Sequence, residues 1–142
     1  MIIGLTSGCF DLIHFGHIQY LERCKKLCDY LIVGVDCDEM VVKAKGRGRP
    51  IIPELERFAM VNSLSPVDIA YPLKNLTVLH EISVQFHVNK VFKHEGFKDL
   101  ENVVGVTDTN AELVIIPDVS GLVSTSEILN RVFNLHKDKE LL

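Results

Sequence analysis

The chain has 142 residues, of which 47 % are hydrophobic and 24 % charged, and its formal net charge is −4. This is ordinary globular composition at a length that buries a proper core, and no apolar run approaches the roughly 20 residues a membrane span needs. The acidic balance argues against a general nucleic-acid surface, and the four cysteines (Cys9, Cys24, Cys28, Cys37) form no CxxC pair, as expected of free thiols in a reducing compartment.

In chain order, the first element is "IIGLTSG", a short apolar run ending in glycine that reads as a buried strand. No basic n-region precedes it, so a soluble cytoplasmic protein is expected. Residues 15–28 carry Ile18, Leu21, Cys24, Leu27 and Cys28 at helical spacing. "YLIVGVD" (30–36) is a second buried strand. The run "KAKGRGR" (43–49) packs four cations into seven residues and, taken alone, reads as a solvated loop. "PELERFAMVNSL" (53–64) opens with proline and acids, as a helix start does. A strand over 67–73, a helix over 77–87 and strands over 89–95 and 111–118 follow. "STSEILNRVFNLH" (124–136) begins with a Ser/Thr cap and continues as an amphipathic helix. The alternation predicts an α/β fold, a Rossmann-like doubly wound parallel sheet with helices on both faces. It is read as one domain over residues 1–142, with 136–142 as a tail.

In such sheets ligands gather at the carboxyl ends of strands, where strand order reverses. "GCFDLIHFGH" (8–17) lies at the end of the first strand and "VSGLVSTSE" (119–127) between the last strand and last helix, so the two can meet at one edge. His14 and His17, three apart, can bring both imidazoles to one side of a turn, where Gly16 allows close approach and helix amides favour an anion. A metal pair, an acid–base pair and a plain turn remain open on this spacing. Zinc wants three or four protein ligands, and no HExxH or Cys–His set accompanies the pair, so no metal ligand is assigned. His80, His87 and His136 read as surface residues on helices, and "VVGV" (103–106) as either core or interface.

"GCFDLIHFGH" resembles the GxFDxxHxGH signature of the cytidylyltransferase-like nucleotidyltransferases, matching it at Gly8, Phe10, Asp11, His14, Gly16 and His17. "VSTSEI" is similar to the second signature of that superfamily, a Ser/Thr cluster opening a late helix. "KGRGRPIIPELER" resembles the segment after the second strand, where a lysine reaches the triphosphate. The resemblance covers nearly the whole chain. It implies transfer of a nucleoside monophosphate from an NTP to a small phosphorylated acceptor, with release of pyrophosphate and with Mg²⁺ on the triphosphate. His14 and His17, with Lys43 or Lys45, would carry the catalysis. Gly8, Cys9, Phe10, Asp11, Gly16, Arg57, Lys93, Ser124, Thr125 and Ser126 would line the nucleotide site, with Asp38 toward the acceptor. Asp11 serves equally well as a loop-fixing acid.

Within the family, "KGRGRP", "VFKHEGF" and "GLVSTSEI" look closest to adenylyltransferases acting on heptose 1-phosphate. The chain departs from them where Lys-Gly-Gly-Asp-Tyr is usual and Lys93-His94-Glu95-Gly96-Phe97 stands instead. Glycerol-3-phosphate cytidylyltransferases, which use CTP, share the first signature, but their Arg-Thr-Glu-Gly segment is replaced here by "DVSGLVSTS". FMN adenylyltransferases also share it. A nucleotide-binding module without turnover is the non-enzymatic alternative. A homodimer is expected from the resemblance.

Overall fold

A computed structural model of the chain describes residues 1–138. Five parallel strands form one sheet in the order β3-β2-β1-β4-β5. They are β1 (Ile3–Gly8), β2 (Tyr30–Asp36), β3 (Ile69–Leu73), β4 (Lys90–His94) and β5 (Glu112–Ile116). The helices are α1 (Phe15–Lys26), α2 (Asp38–Lys45), α3 (Glu54–Asn62), α4 (Leu76–Gln85) and α5 (Thr125–Asp138), with a 3₁₀ turn at Leu100–Asn102. The parallel doubly wound sheet predicted from the alternation is the one observed.

Burial on both faces explains why the strands read as continuous apolar runs. Along β2, Leu31, Val33 and Val35 face one core with Leu21 and Cys24 of α1 and Val61 of α3. Ile32 faces the other, with Leu79 and Ile82 of α4. Val103 is buried in this second core and Val104 and Val106 pack against it, so "VVGV" is a core contact. Glycine is required inside the sheet where neighbours crowd the backbone: a Cβ on Gly4 would sit 2.5 Å from the Phe92 ring.

Two elements differ from expectation. The first three residues of the basic run, 43–45, end a helix over Asp38–Lys45, while 46–49 form the expected loop. Asp38 and Glu39 stand in the first turn and Lys43 and Lys45 in the last, which suits the helix dipole, while Val41 is buried. The cation-rich composition masks one short apolar anchor. The last helix runs to Asp138, so His136–Asp138 belong to it and not to a tail; the remainder of the expected tail, 139–142, lies outside the described residues. His136 and His87 are exposed, and His80 is partly exposed and pairs with Asp108.

Candidate active site

The strand order reverses between β1 and β4, and a cleft of about 980 Å³ opens there at the carboxyl end of the sheet. Its wall contains both signatures. The loop after β1 is held in an uncommon backbone shape, with Phe10 at φ 53° and Leu12 at φ 49°, left-handed values that non-glycine residues adopt at a cost of about 1–3 kcal/mol each. Asp11 fixes that shape. Its buried carboxylate accepts the backbone N–H of Ile51 at 2.7 Å and of Ile52 at 2.9 Å, with Arg49 Nε at 3.4 Å. Asp11 therefore acts as the loop-fixing acid, tying the first signature to the segment after the basic run. Phe10 is buried with its ring 5.7 Å from that of His17, so it props the histidine from below.

The two histidines cap α1 reciprocally. His14 Nδ1 accepts the N–H of Gly16 at 3.1 Å, and His17 Nδ1 accepts the N–H of His14 at 3.2 Å. Each neutral ring has its acceptor nitrogen occupied by an amide, so its proton resides on Nε2, and both present N–H donors. Burial, the His14 ring and Lys45 push the pKa of His17 down to about 4, and burial lowers that of His14. Near neutral pH the pair is a set of uncharged donors, the ring centroids 3.9 Å apart. The glycine between them also serves the ring: a Cβ on Gly16 would lie 2.9 Å from His14 Cε1.

The second signature meets the first directly. Thr125 Oγ1 donates to the Asp11 carbonyl at 3.3 Å, and Ser124 Oγ accepts the N–H of Glu127 at 3.2 Å, capping α5. Gly8, Cys9, Gly16, Lys45, Lys93, Ser124, Thr125 and Ser126 all line the cleft with Phe10, Asp11, His14 and His17. Burial raises the Cys9 thiol pKa against the pull of Lys45 and Arg57, so Cys9 is wall and not a thiolate.

Three sequence candidates stand elsewhere. Lys43 is exposed and pairs with Glu39 at 3.2 Å, off the cleft, whereas Lys45 lines it. Arg57 is 1 % exposed and makes four hydrogen bonds: to the carbonyls of Ile52, Cys9 and Asp36 and to Asp38 Oδ1 at 2.7 Å. Its role is a tie beneath the site, joining the ends of β1 and β2 to α3, and it holds Asp38 away from the cleft lining. Sequence reasoning missed Asp36, the last residue of β2, which lines the cleft opposite Lys93. Burial raises the Asp36 pKa and lowers that of Lys93, each opposed by the other's charge, and Lys93 Nζ lies 4.6 Å from the Phe97 ring centroid. The strand-end rule alone would have flagged Asp36.

A sequence profile described as cytidylyltransferase-like matches residues 5–131. The chain belongs to the cytidylyltransferase-like family. Within its sequence relatives, a protein named bifunctional protein HldE from Desulfatibacillum aliphaticivorans is 40 % identical over 126 residues, covering 87 % of this chain and 25 % of its own length. A namesake from Campylobacter jejuni subsp. doylei is 38 % identical over 138 residues, covering 97 % of this chain and 28 % of its own. The chain thus spans about a quarter of the length of the curated relatives it matches. Among solved structures, the lipopolysaccharide core biosynthesis protein from Thermoplasma volcanium superposes with a TM-score of 0.65 at 28 % identity, covering 84 % of this chain and 97 % of that one. Pantothenate synthetase from Thermus thermophilus shares the fold, with a TM-score of 0.61 at 14 % identity over 90 % of this chain and 61 % of that one. Among the described residues no helix is long and apolar enough to cross a membrane.

Proposed function

We propose that this cytidylyltransferase-like chain transfers a nucleoside monophosphate from an NTP, with ATP favoured, to the phosphate of a small sugar phosphate, releasing pyrophosphate. One observation carries the reading: paired Nε2–H donors of His14 and His17, the first turn of α5 and Lys45 all line one cleft. The names of the relatives, HldE and a lipopolysaccharide core biosynthesis protein, support a sugar-phosphate acceptor.

An oxygen of the acceptor phosphate attacks the α-phosphorus, and the bond from that phosphorus to the oxygen bridging to the β-phosphate breaks. No protein nucleophile is needed, so catalysis consists of positioning and neutralising charge. His14 and His17 donate to the oxygens of the reacting phosphates. Being neutral in the free protein, they act as donors and not as bases. Lys45 neutralises the departing pyrophosphate, and Ser124, Ser126 and the α5 amides receive its oxygens. Thr125, bound to Asp11, keeps that turn against the histidine loop.

Mg²⁺ fits this cleft as an ion carried by the triphosphate. Among the described residues no cluster of three His, Cys, Asp or Glu side chains forms a metal cage, and triphosphate-borne Mg²⁺ takes most of its ligands from phosphate and water. Asp36 would be the carboxylate holding it, and the ion would add charge neutralisation. A homodimer belongs to the same reading; sedimentation of the wild type against Phe133→Glu, a residue 65 % exposed on α5, checks it. A cytoplasmic location is also part of it.

The test is pyrophosphate release over a grid of ATP and CTP against heptose 1-phosphate, glycerol 3-phosphate and FMN. The expected signal is ATP with the sugar phosphate. Signal only with CTP and glycerol 3-phosphate, or only with FMN, would move the chain to another branch of the family. Silence throughout, with nucleotide still bound, would make it a binding module.

A further inference from the structure

Two neighbouring strand ends carry the same three-residue device, and the family signature contains only one of them. His14-Phe15-Gly16 follows β1, and His94-Glu95-Gly96 closes β4, which pairs beside it. In both, the histidine Nδ1 accepts the N–H of the glycine two residues on, at 3.1 Å. In both, a Cβ on that glycine would press into the ring, 2.9 Å from Cε1 at Gly16 and 3.0 Å at Gly96. The consequence is chemical: with Nδ1 accepting from an amide, the neutral ring carries its proton on Nε2 and can only donate there.

His94 lines the same cleft as His14 and His17, and its Nε2 makes no hydrogen bond among the described residues. The β1 loop, Lys45 and the first turn of α5 form one bank of that cleft; the end of β4 forms the other bank of the crevice where strand order reverses. The adjacent Glu95 is not part of the cleft lining, and its Oε2 accepts the Asp118 N–H at 3.0 Å. Lys93, one residue earlier, lines the same cleft. An Nε2–H donor held in place by the Gly96 N–H, beside a lysine on the same wall, suits a phosphate monoester.

We propose that His94 is a specificity-determining residue that donates Nε2–H to a phosphate oxygen of the acceptor, seated across the β1–β4 crevice from the triphosphate. This rests on the nucleotidyl-transfer reading.

The test compares wild type, His94→Ala, His94→Gln and Gly96→Ala with ATP and heptose 1-phosphate. His94→Ala is expected to raise the acceptor KM about tenfold or more, the scale of one hydrogen bond to a charged group. The Kd of a non-hydrolysable ATP analogue should stay within about twofold, since a phosphate across the crevice is untouched. His94→Gln, whose amide N–H can replace Nε2–H, should recover most of the loss, and Gly96→Ala, which displaces the ring, should share it. An unchanged acceptor KM in His94→Ala, or an equal loss of analogue affinity, would overturn the assignment. The ring resonances of His94, identified by their absence in His94→Gln, give a readout without turnover. They should shift saturably with heptose 1-phosphate in the presence of the analogue; a shift with the analogue alone, or none with bound acceptor, would overturn the proposal. Wild-type protein that neither releases pyrophosphate nor binds the sugar phosphate would overturn the transfer reading and this proposal together. Normal turnover with an unaffected His94→Ala would overturn this proposal alone.

Discussion

A neutral imidazole that has given Nδ1 to a backbone amide has one chemical option left, to donate from Nε2. That constraint decides between the roles a histidine pair can play, because the same two bonds that cap α1 also remove the pair from acid–base and metal duty. The expected outcome of His17→Ala is a fall in kcat of roughly 10²–10³, the cost of one transition-state donor, read by pyrophosphate release. Near-normal turnover would remove His17 from the mechanism. The low pKa of His17 has a second consequence. Between its folded value of about 4 and the ordinary 6.5, the unfolded chain binds a proton that the folded protein does not, so stability rises with pH over that interval. The contribution is whole above pH 6.5 and is lost as pH falls toward 4. Thermal melts should therefore lose Tm on acidification more steeply in wild type than in His17→Gln, and parallel curves would contradict the burial argument. The residue types and spacing of this loop were legible in the chain, but its tautomers were not. They depend on which amide each Nδ1 meets, and that follows from the left-handed turns at Phe10 and Leu12.

At the scale of elements, the basic run shows where composition misleads. "KAKGRGR" counts as four equivalent cations on paper, yet the last turn of α2 and the loop after it give three of them different surroundings. Lys43 faces Glu39 in solvent, Lys45 faces the cleft two residues later, and Arg49 turns back to Asp11. Lys45→Ala should raise the KM for ATP about tenfold or more, whereas Lys43→Ala should change it by less than about twofold, as for an exposed ion pair. Equal effects in steady-state kinetics would contradict this placement. Arg57 matched a family position and so read as a ligand; its burial could not be seen without knowing that the ends of β1, β2 and the start of α3 converge on it. Arg57→Met removes the partner of Asp38 and strands three carbonyls. It should cost about 3–5 kcal/mol in urea unfolding, and a loss below about 1 kcal/mol would show the tie to be dispensable.

For the molecule as a whole, strand order is what turns separate motifs into one site. Alternating segments predict a parallel sheet, and strand-end motifs predict that ligands bind at its carboxyl edge. Neither states that β4 lies beside β1, which is the pairing that opens the crevice and sets His94 across from His14. The order follows from which faces pack, with α1 and α3 covering one core and α4 the other. If this crevice moves the α-phosphorus of a nucleotide, the most direct measurement is the fate of label from ATP carrying ³²P at the α or the γ position, incubated with heptose 1-phosphate. The expected result is α-label in a sugar nucleotide and γ-label in an equal amount of pyrophosphate. Recovery of γ-label on the sugar, with the α-label left in ADP, would contradict it.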